Sequence, residues 1–342
     1  MYQFRNDYSV GCHPKVLEAL TAVNSESVIG YGADQYCKEA ADLIRAVCQA
    51  PQADVQFMIG GTQANFTAIA AFLRPWESVI APASGHINGH EAGAVEAAGH
   101  KIIAVPTAAN GKLTPAAILS VVEECKDEHL TKPRLVYISN ATETGGIYFR
   151  AELEALSQCC RRNGLLLFLD GARLGCALSA QHNDLTLADI AALTDAFYIG
   201  GTKNGAMMGE ALVITDPALQ EGFFRIKKQR GAVLAKGWLL GVQFTALLKD
   251  GLYFKLARQA VDMAQYLQGG LKNLGLPMMV DSPTNQIFPI VPNDLLPQLD
   301  KVCTYEVWCK ADETHTVVRF VTSFATTLSD ADGMLKAVKA MT

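Results

Sequence analysis

From about residue 55 to residue 215, the chain alternates short, mostly apolar runs with longer stretches where apolar residues recur every three or four positions. VQFMIG precedes QANFTAIAAFL, SVIAP precedes HEAGAVEAAG, and KIIAVP precedes PAAILSVVEEC. RLVYIS, a helical segment near 151–162, LLLFLD and AFYIG continue the series. A strand with no polar face has no solvent side, so helices must cover both faces of its sheet, and the pattern predicts a mostly parallel α/β sheet. After ALVITD a helix-rich stretch runs to about residue 274 and includes FFRIKKQR and LAKGWLLGVQFTALL. QIFPIV, TVVRFVTSF and a final helix near 329–340 predict a smaller α+β lobe. The expected division is a large domain with the N-terminal segment over residues 1–250 and a small C-terminal domain over 251–342. No repeat, low-complexity segment or Gly/Ser linker interrupts the chain, so the lobes are expected to pack closely.

With 342 residues, half of them apolar, the chain is long enough to bury a large core. Its 29 basic and 34 acidic side chains leave a net charge of −5 with no block of like charges. That balance argues against a nucleic-acid surface or a polybasic membrane patch, and leaves small molecules or further copies of the chain as partners. MYQFRNDYSVGCHP lacks the basic start and apolar run of a signal peptide, and no apolar stretch approaches the roughly 20 residues of a membrane span. A cytoplasmic protein is expected. The nine cysteines form no C-x-x-C pair, and Cys159 and Cys160 are adjacent, which suits reduced, buried thiols better than a disulfide frame or zinc site.

In such sheets ligands gather beyond the carboxyl ends of the strands, so chemistry is sought where each apolar run stops. VQFMIG is followed by Gly60-Gly61-Thr62-Gln63-Ala64-Asn65, which leads directly into a helix. Glycines let backbone N–H groups approach an anion, and the helix start adds a positive dipole end, so a phosphate fits; a plain tight turn is the competing reading. The run is neither G-x-G-x-x-G nor a Walker loop, which counts against dinucleotides and nucleoside triphosphates. After SVIAP, His86 and His90 stand four apart beside Glu91, but Asn88-Gly89 interrupts a continuous helix and no zinc-protease motif is present. No metal is assigned. His86 is either a structural histidine or a flat imidazole lying against a cofactor ring.

LLLFLD ends on Asp170, a carboxylate that is costly in a buried strand without a positive partner. Arg173 in Gly171-Ala172-Arg173, a helix cap or a protonated ring nitrogen would meet that need. Lys203 follows AFYIG within GGTKNGAMMG, where polar neighbours are few. A desolvated amine loses its proton more readily and becomes a nucleophile toward a carbonyl. A phosphate-binding helix start, a buried carboxylate and such a lysine are the parts a pyridoxal phosphate site requires.

At these residues the sequence resembles the low-specificity L-threonine aldolase and aromatic amino acid β-eliminating lyase group of fold type I, aspartate-aminotransferase-like pyridoxal phosphate enzymes. The resemblance spans nearly the whole chain: Tyr31-Gly32-Ala33-Asp34, GGTQAN, GHINGHE, LDGARLG, GGTKNGAMMG and VVRFVTS. It implies a mostly parallel seven-stranded sheet in the large domain, and pyridoxal 5′-phosphate as cofactor. By motif match it implies Lys203 as the covalent anchor, Asp170 on the pyridine nitrogen, His86 stacked on the ring, and Gly61 and Thr62 at the phosphate. Arg173 and Arg319 match arginines that hold the substrate carboxylate, a task suited to a bidentate guanidinium. Relatives form dimers or tetramers that share active sites, with a basic residue of the partner near the phosphate. The matching region here holds Lys227, Lys228, Arg230 and Lys236.

The implied activity is retro-aldol cleavage of a β-hydroxy-α-amino acid, L-threonine or L-allo-threonine, to glycine and an aldehyde. β-Elimination or transamination of another amino acid is the alternative. Two departures concern the substrate side. Well-known threonine aldolases carry Glu-Asn-Thr-His, with the histidine near the substrate hydroxyl, where this chain has Ser139-Asn140-Ala141-Thr142. They also begin with Arg-Ser-Asp-Thr, where this chain has Arg5-Asn6-Asp7-Tyr8. With Thr142 in the histidine's place, His86 or an activated water is left as the base.

Overall fold

The computed structural model describes residues 1–341. Its largest sheet has seven strands, in the spatial order Asp54–Met58, Glu210–Ile214, Ala196–Gly200, Leu166–Asp170, Lys132–Ser139, Glu77–Pro82 and Ile102–Val105. Glu210–Ile214 runs antiparallel to both of its neighbours, and every other adjacent pair is parallel. The apolar runs therefore form the sheet their pattern predicts, with one reversed strand.

Strand alternation builds two cores from one sheet. Ile80, Val136, Ile138, Leu167, Leu169, Phe197 and Ile199 face one side, where Ile44, Ile118, Leu153 and Phe244 cover them from helices. Val79, Leu135, Tyr137, Phe168 and Tyr198 face the other, under Ala64, Ala68 and Ile69 of the helix Gly61–Phe72. Side chains of one strand point alternately to opposite faces, so both faces must be apolar for the sheet to be buried on both.

A smaller antiparallel sheet combines Gln286–Ile287, Ile290–Pro292, Glu306–Lys310 and His315–Val321. Its core includes Ile287, Val318 and Phe320, covered by Met334 and Val338 of the last helix, Leu328–Lys339. Phe4 lies in this core too, because the N-terminal strand Tyr2–Gln3 pairs with Cys303–Thr304. The helix Leu252–Asn273 joins the two lobes: Tyr253 and Leu256 belong to the large core, and Leu267 and Leu271 to the small one. HEAGAVEAAG, residues 90–99, does not form a full helix; it holds only the single turn Ala94–Ala97, and a separate turn, His86–Gly89, precedes it. Ala92 and Gly93 between the two turns hold φ of 50° and 73°, the left-handed region that ends a right-handed helix. All nine cysteines are free thiols. Among the described residues, no helix is long and apolar enough to cross a membrane.

Candidate active site

Beyond the carboxyl ends of the parallel strands lies a cavity of about 300 Å3. Gly61, Thr62, His86, Thr142, Asp170, Arg173 and Lys203, seven of the eight residues singled out from sequence, all line it. Ser139 and Asp170, which end adjacent strands, are register partners, so the strand-end rule brings segments distant in sequence to one place.

Asp170 is 4% exposed and is surrounded by donors. Tyr198 donates to its Oδ1 at 2.5 Å and the Ala172 N–H at 3.0 Å; Tyr137 donates to Oδ2 at 2.6 Å and Asn65 at 2.9 Å. Burial, and then the Asp170 charge, push both tyrosine hydroxyls well above their ordinary range, which keeps them protonated donors. The Asn65 amide also donates to Glu91 Oε1 at 2.8 Å, and that same oxygen lies 2.8 Å from His86 Nδ1. A hydrogen-bonded chain thus runs from Asp170 to the His86 ring, which stays partly open to the cavity. Glu91 is used in this chain, and among the described residues no group of three or more His, Cys, Asp or Glu is arranged to hold a metal ion.

Gly60 caps the helix Gly61–Phe72 with extended backbone and no side-chain hydrogen bond, so the first-turn N–H groups lack a side-chain partner at the cavity. A Cβ on Gly60 would meet nothing within 4 Å, whereas one on Gly61 would lie 3.0 Å from the Tyr198 hydroxyl. Gly171, after Asp170, is dictated by close approach: a Cβ there would lie 1.7 Å from the Tyr198 carbonyl oxygen. The LDGAR glycine lets two strand ends converge.

Burial pushes the Lys203 amine below the usual lysine pKa, and the Arg173 guanidinium pushes the same way, against Asp7, Asp170 and Glu210. Glu210, also lining the cavity, is pushed up to about 7 by burial. Because its strand is reversed, its first residue, not its last, reaches the carboxyl end of the others. A search of strand ends passes over such a residue. Asp7 was also missed as a site residue. It is 2% exposed and accepts from Arg173 Nε at 2.7 Å and Nη2 at 3.0 Å, leaving Nη1 of the guanidinium.

Arg319 stands apart from the residues that line the cavity. Its Nη2 donates to Glu306 at 2.7 Å and its guanidinium lies 5.3 Å from the Trp308 ring centre. Burial and then the Arg173 charge lower its pKa, which sets the two cations within electrostatic reach. Thr142 lines the cavity, but its hydroxyl donates to the Asn110 carbonyl and accepts from the Gly146 N–H, both at 2.8 Å. Of the basic candidates, Lys227 is buried, donates to Gln56 at 3.1 Å, and is pushed down to about 8 by burial. Lys228 and Lys236 are exposed, and Arg230 is partly buried.

The profile of the beta-eliminating lyase family matches residues 3–294. The chain belongs to that family. It is 35% identical over 292 residues to the low specificity L-threonine aldolase of Pseudomonas sp. (strain NCIMB 10558), covering 84% of this chain and 83% of that one. The solved structure of Leishmania major threonine aldolase superposes with a TM-score of 0.98 at 47% identity, covering 100% of this chain and 99% of that one. A Thermus thermophilus aspartate aminotransferase mutant shares the fold alone, at TM-score 0.73 and 16% identity over 100% and 92% of the two chains. The chain is thus an α/β enzyme with the fold of aspartate-aminotransferase-like fold type I proteins, as the family resemblance implies.

Proposed function

We propose that this lyase cleaves a β-hydroxy-α-amino acid, L-threonine or L-allo-threonine, to glycine and an aldehyde with pyridoxal 5′-phosphate as cofactor. The observation that carries the reading is a desolvated lysine amine and a carboxylate ringed by donors on one cavity. The donor set fits the cofactor: an uncapped helix start for an anion, a carboxylate for a ring nitrogen, and an amine for an aldehyde carbon. When bound, pyridoxal 5′-phosphate supplies an electron sink for a pair released at the amino acid's Cα.

Each residue then has a task. Lys203, favoured in its neutral form, offers the nucleophilic amine that anchors the cofactor. Asp170 holds a proton on the pyridine nitrogen, and Tyr137, Tyr198 and Asn65 fix the carboxylate in place. Gly61 and Thr62 bind phosphate at the helix start. His86, steadied by Glu91, packs on the ring. Arg173 binds the substrate carboxylate, and an anion placed there also relieves its repulsion with Arg319. That clamp orients the Cα–Cβ bond, the condition for its selective cleavage. A homodimer or homotetramer is part of the same reading, with a partner's basic side chain near the phosphate.

Purified holoenzyme should absorb visible light, and Lys203→Ala should lose that band together with at least about 10³-fold in activity. Incubation with L-threonine, L-allo-threonine and L-serine should yield glycine, with acetaldehyde from the first two. Pyruvate from L-serine without glycine from threonine would reassign the enzyme to β-elimination. A colourless protein that binds no pyridoxal 5′-phosphate would refute the reading of the site.

A further inference from the structure

With the Thr142 hydroxyl proton given to the Asn110 carbonyl and its oxygen accepting from the Gly146 N–H, the site needs another group to take the substrate's hydroxyl proton. The polar side chains on the cavity are already committed in most cases. Asp170 accepts from four donors, His86 Nδ1 meets Glu91, and Tyr198 donates to Asp170. Glu210 Oε2 accepts from the Gly201 N–H at 2.9 Å and its neighbour in charge is Lys203. Glu143 differs. The His86 N–H and the Ser139 hydroxyl both donate to its Oε1 at 2.9 Å, while Oε2 is buried with no partner. Among the described cavity-lining residues, no other side chain holds a buried polar atom in that state.

We propose that Glu143 is the catalytic base that accepts the β-hydroxyl proton of the substrate. The proposal rests on the aldolase reading above. A carboxylate pinned through one oxygen and unpartnered at the other, on a residue that lines the cavity, has a fixed direction and a vacant acceptor, and a substrate hydroxyl supplies the missing donor. Burial, and then the Asp170 charge, raise the Glu143 pKa above the ordinary glutamate value, which makes it a stronger base than a solvated carboxylate. Asp170, Tyr137, Tyr148, the Ser139 hydroxyl and the backbone of His86 share its electrostatic surroundings.

In the cleavage direction Glu143 Oε2 takes the hydroxyl proton. The released O–H pair becomes the second bond of the aldehyde carbonyl, and the Cα–Cβ bond breaks with its pair left on the Cα fragment. That fragment takes up one proton and leaves as glycine. Protons balance, and no oxidant or reductant enters.

Glu143→Gln in the holoenzyme separates this role from a structural one. It should lower kcat for L-threonine cleavage by about 10²-fold or more, with KM and visible absorbance little changed. Exchange of the glycine α-proton in deuterated water, which breaks no C–C bond and involves no hydroxyl, should continue within about threefold of wild type. Glu143→Asp should recover part of the cleavage. In cofactor-free protein, the thermal midpoint of Glu143→Gln should gain on wild type as pH rises above 4.5, the ordinary glutamate value, because ionising a buried carboxylate is then a cost only wild type bears. Wild-type cleavage by Glu143→Gln, an equal loss of cleavage and exchange, or a pH-independent midpoint difference would each overturn the assignment. A wild-type protein that neither binds pyridoxal 5′-phosphate nor makes glycine would overturn it by removing the reading beneath it.

Discussion

Asp7 and Arg173 are 166 residues apart in the chain and share two hydrogen bonds in the fold. Arg173 was legible as a candidate because DGAR follows an apolar strand, but nothing in spacing or periodicity points from it to Asp7. The pairing exists only because the N-terminal segment crosses to the site. Burial works to raise the Asp7 pKa, yet the Arg173 and Lys203 charges outweigh it and the net shift is downward from 3.8. A carboxyl whose folded pKa lies below its unfolded one stabilises the protein above the unfolded value and loses that contribution as pH falls beneath it. Asp7→Asn keeps the shape, removes the charge and leaves a buried guanidinium short of its counterion. Removing one partner of a buried pair typically costs about 3–5 kcal/mol. Urea unfolding at pH 7 should show a deficit of that order for Asp7→Asn, and the deficit should narrow as pH drops below 3.8, the ordinary aspartate value. A variant as stable as wild type at pH 7 would show that the pair contributes no net stability.

Elements were legible wherever burial alone decided them. Each of the runs VQFMIG, SVIAP, RLVYIS, LLLFLD and AFYIG holds a strand of the large sheet, because a doubly covered strand is apolar on both faces apart from a few single positions. What pattern does not carry is direction, so Glu210 went unseen until the reversed strand Glu210–Ile214 set it beside Lys203. Nor does pattern show how a helix secures a loop. Tyr253, fully buried on the helix Leu252–Asn273, accepts from the Gly175 N–H at 3.1 Å and donates to the Gly200 carbonyl at 3.0 Å. Its own carbonyl accepts from Asn204 at 2.8 Å, next to Lys203. Tyr253→Phe should therefore leave two buried backbone groups short of a partner, at about 1–3 kcal/mol each. A lower thermal midpoint is expected, together with weaker cofactor retention on gel filtration because the Lys203 loop loses its brace. An unchanged midpoint would show that the hydroxyl is dispensable.

At the scale of the whole molecule, large apolar side chains are exposed around the active-site cavity and around a second one. Tyr8 and Ile59 line the active-site cavity and are 53% and 39% exposed; Tyr31 and Phe224 line a second cavity of about 350 Å3 and are 54% and 51% exposed. Ile29 is 70% exposed, beside a segment whose Tyr31 N–H donates to the Ala235 carbonyl, and Lys228 lies 4.7 Å from the Tyr31 ring centre. Isolated exposed apolar residues need no explanation, but several bordering one pair of cavities suit an interface. The homodimer or homotetramer proposed above would cover such a surface, and covering it would exclude water from the rim of the site. Stable interfaces bury about 1,200–2,000 Å² in total and draw most of their energy from a few apolar or aromatic anchors. Sedimentation velocity at micromolar concentration should therefore find a dimer or tetramer. Charging one anchor, Ile29→Asp, should cost about 2 kcal/mol or more, which raises the dissociation constant by at least about 30-fold. Activity should then fall on dilution in parallel with the monomer fraction. A monomeric wild-type enzyme with full activity would sever the link between this surface and the site.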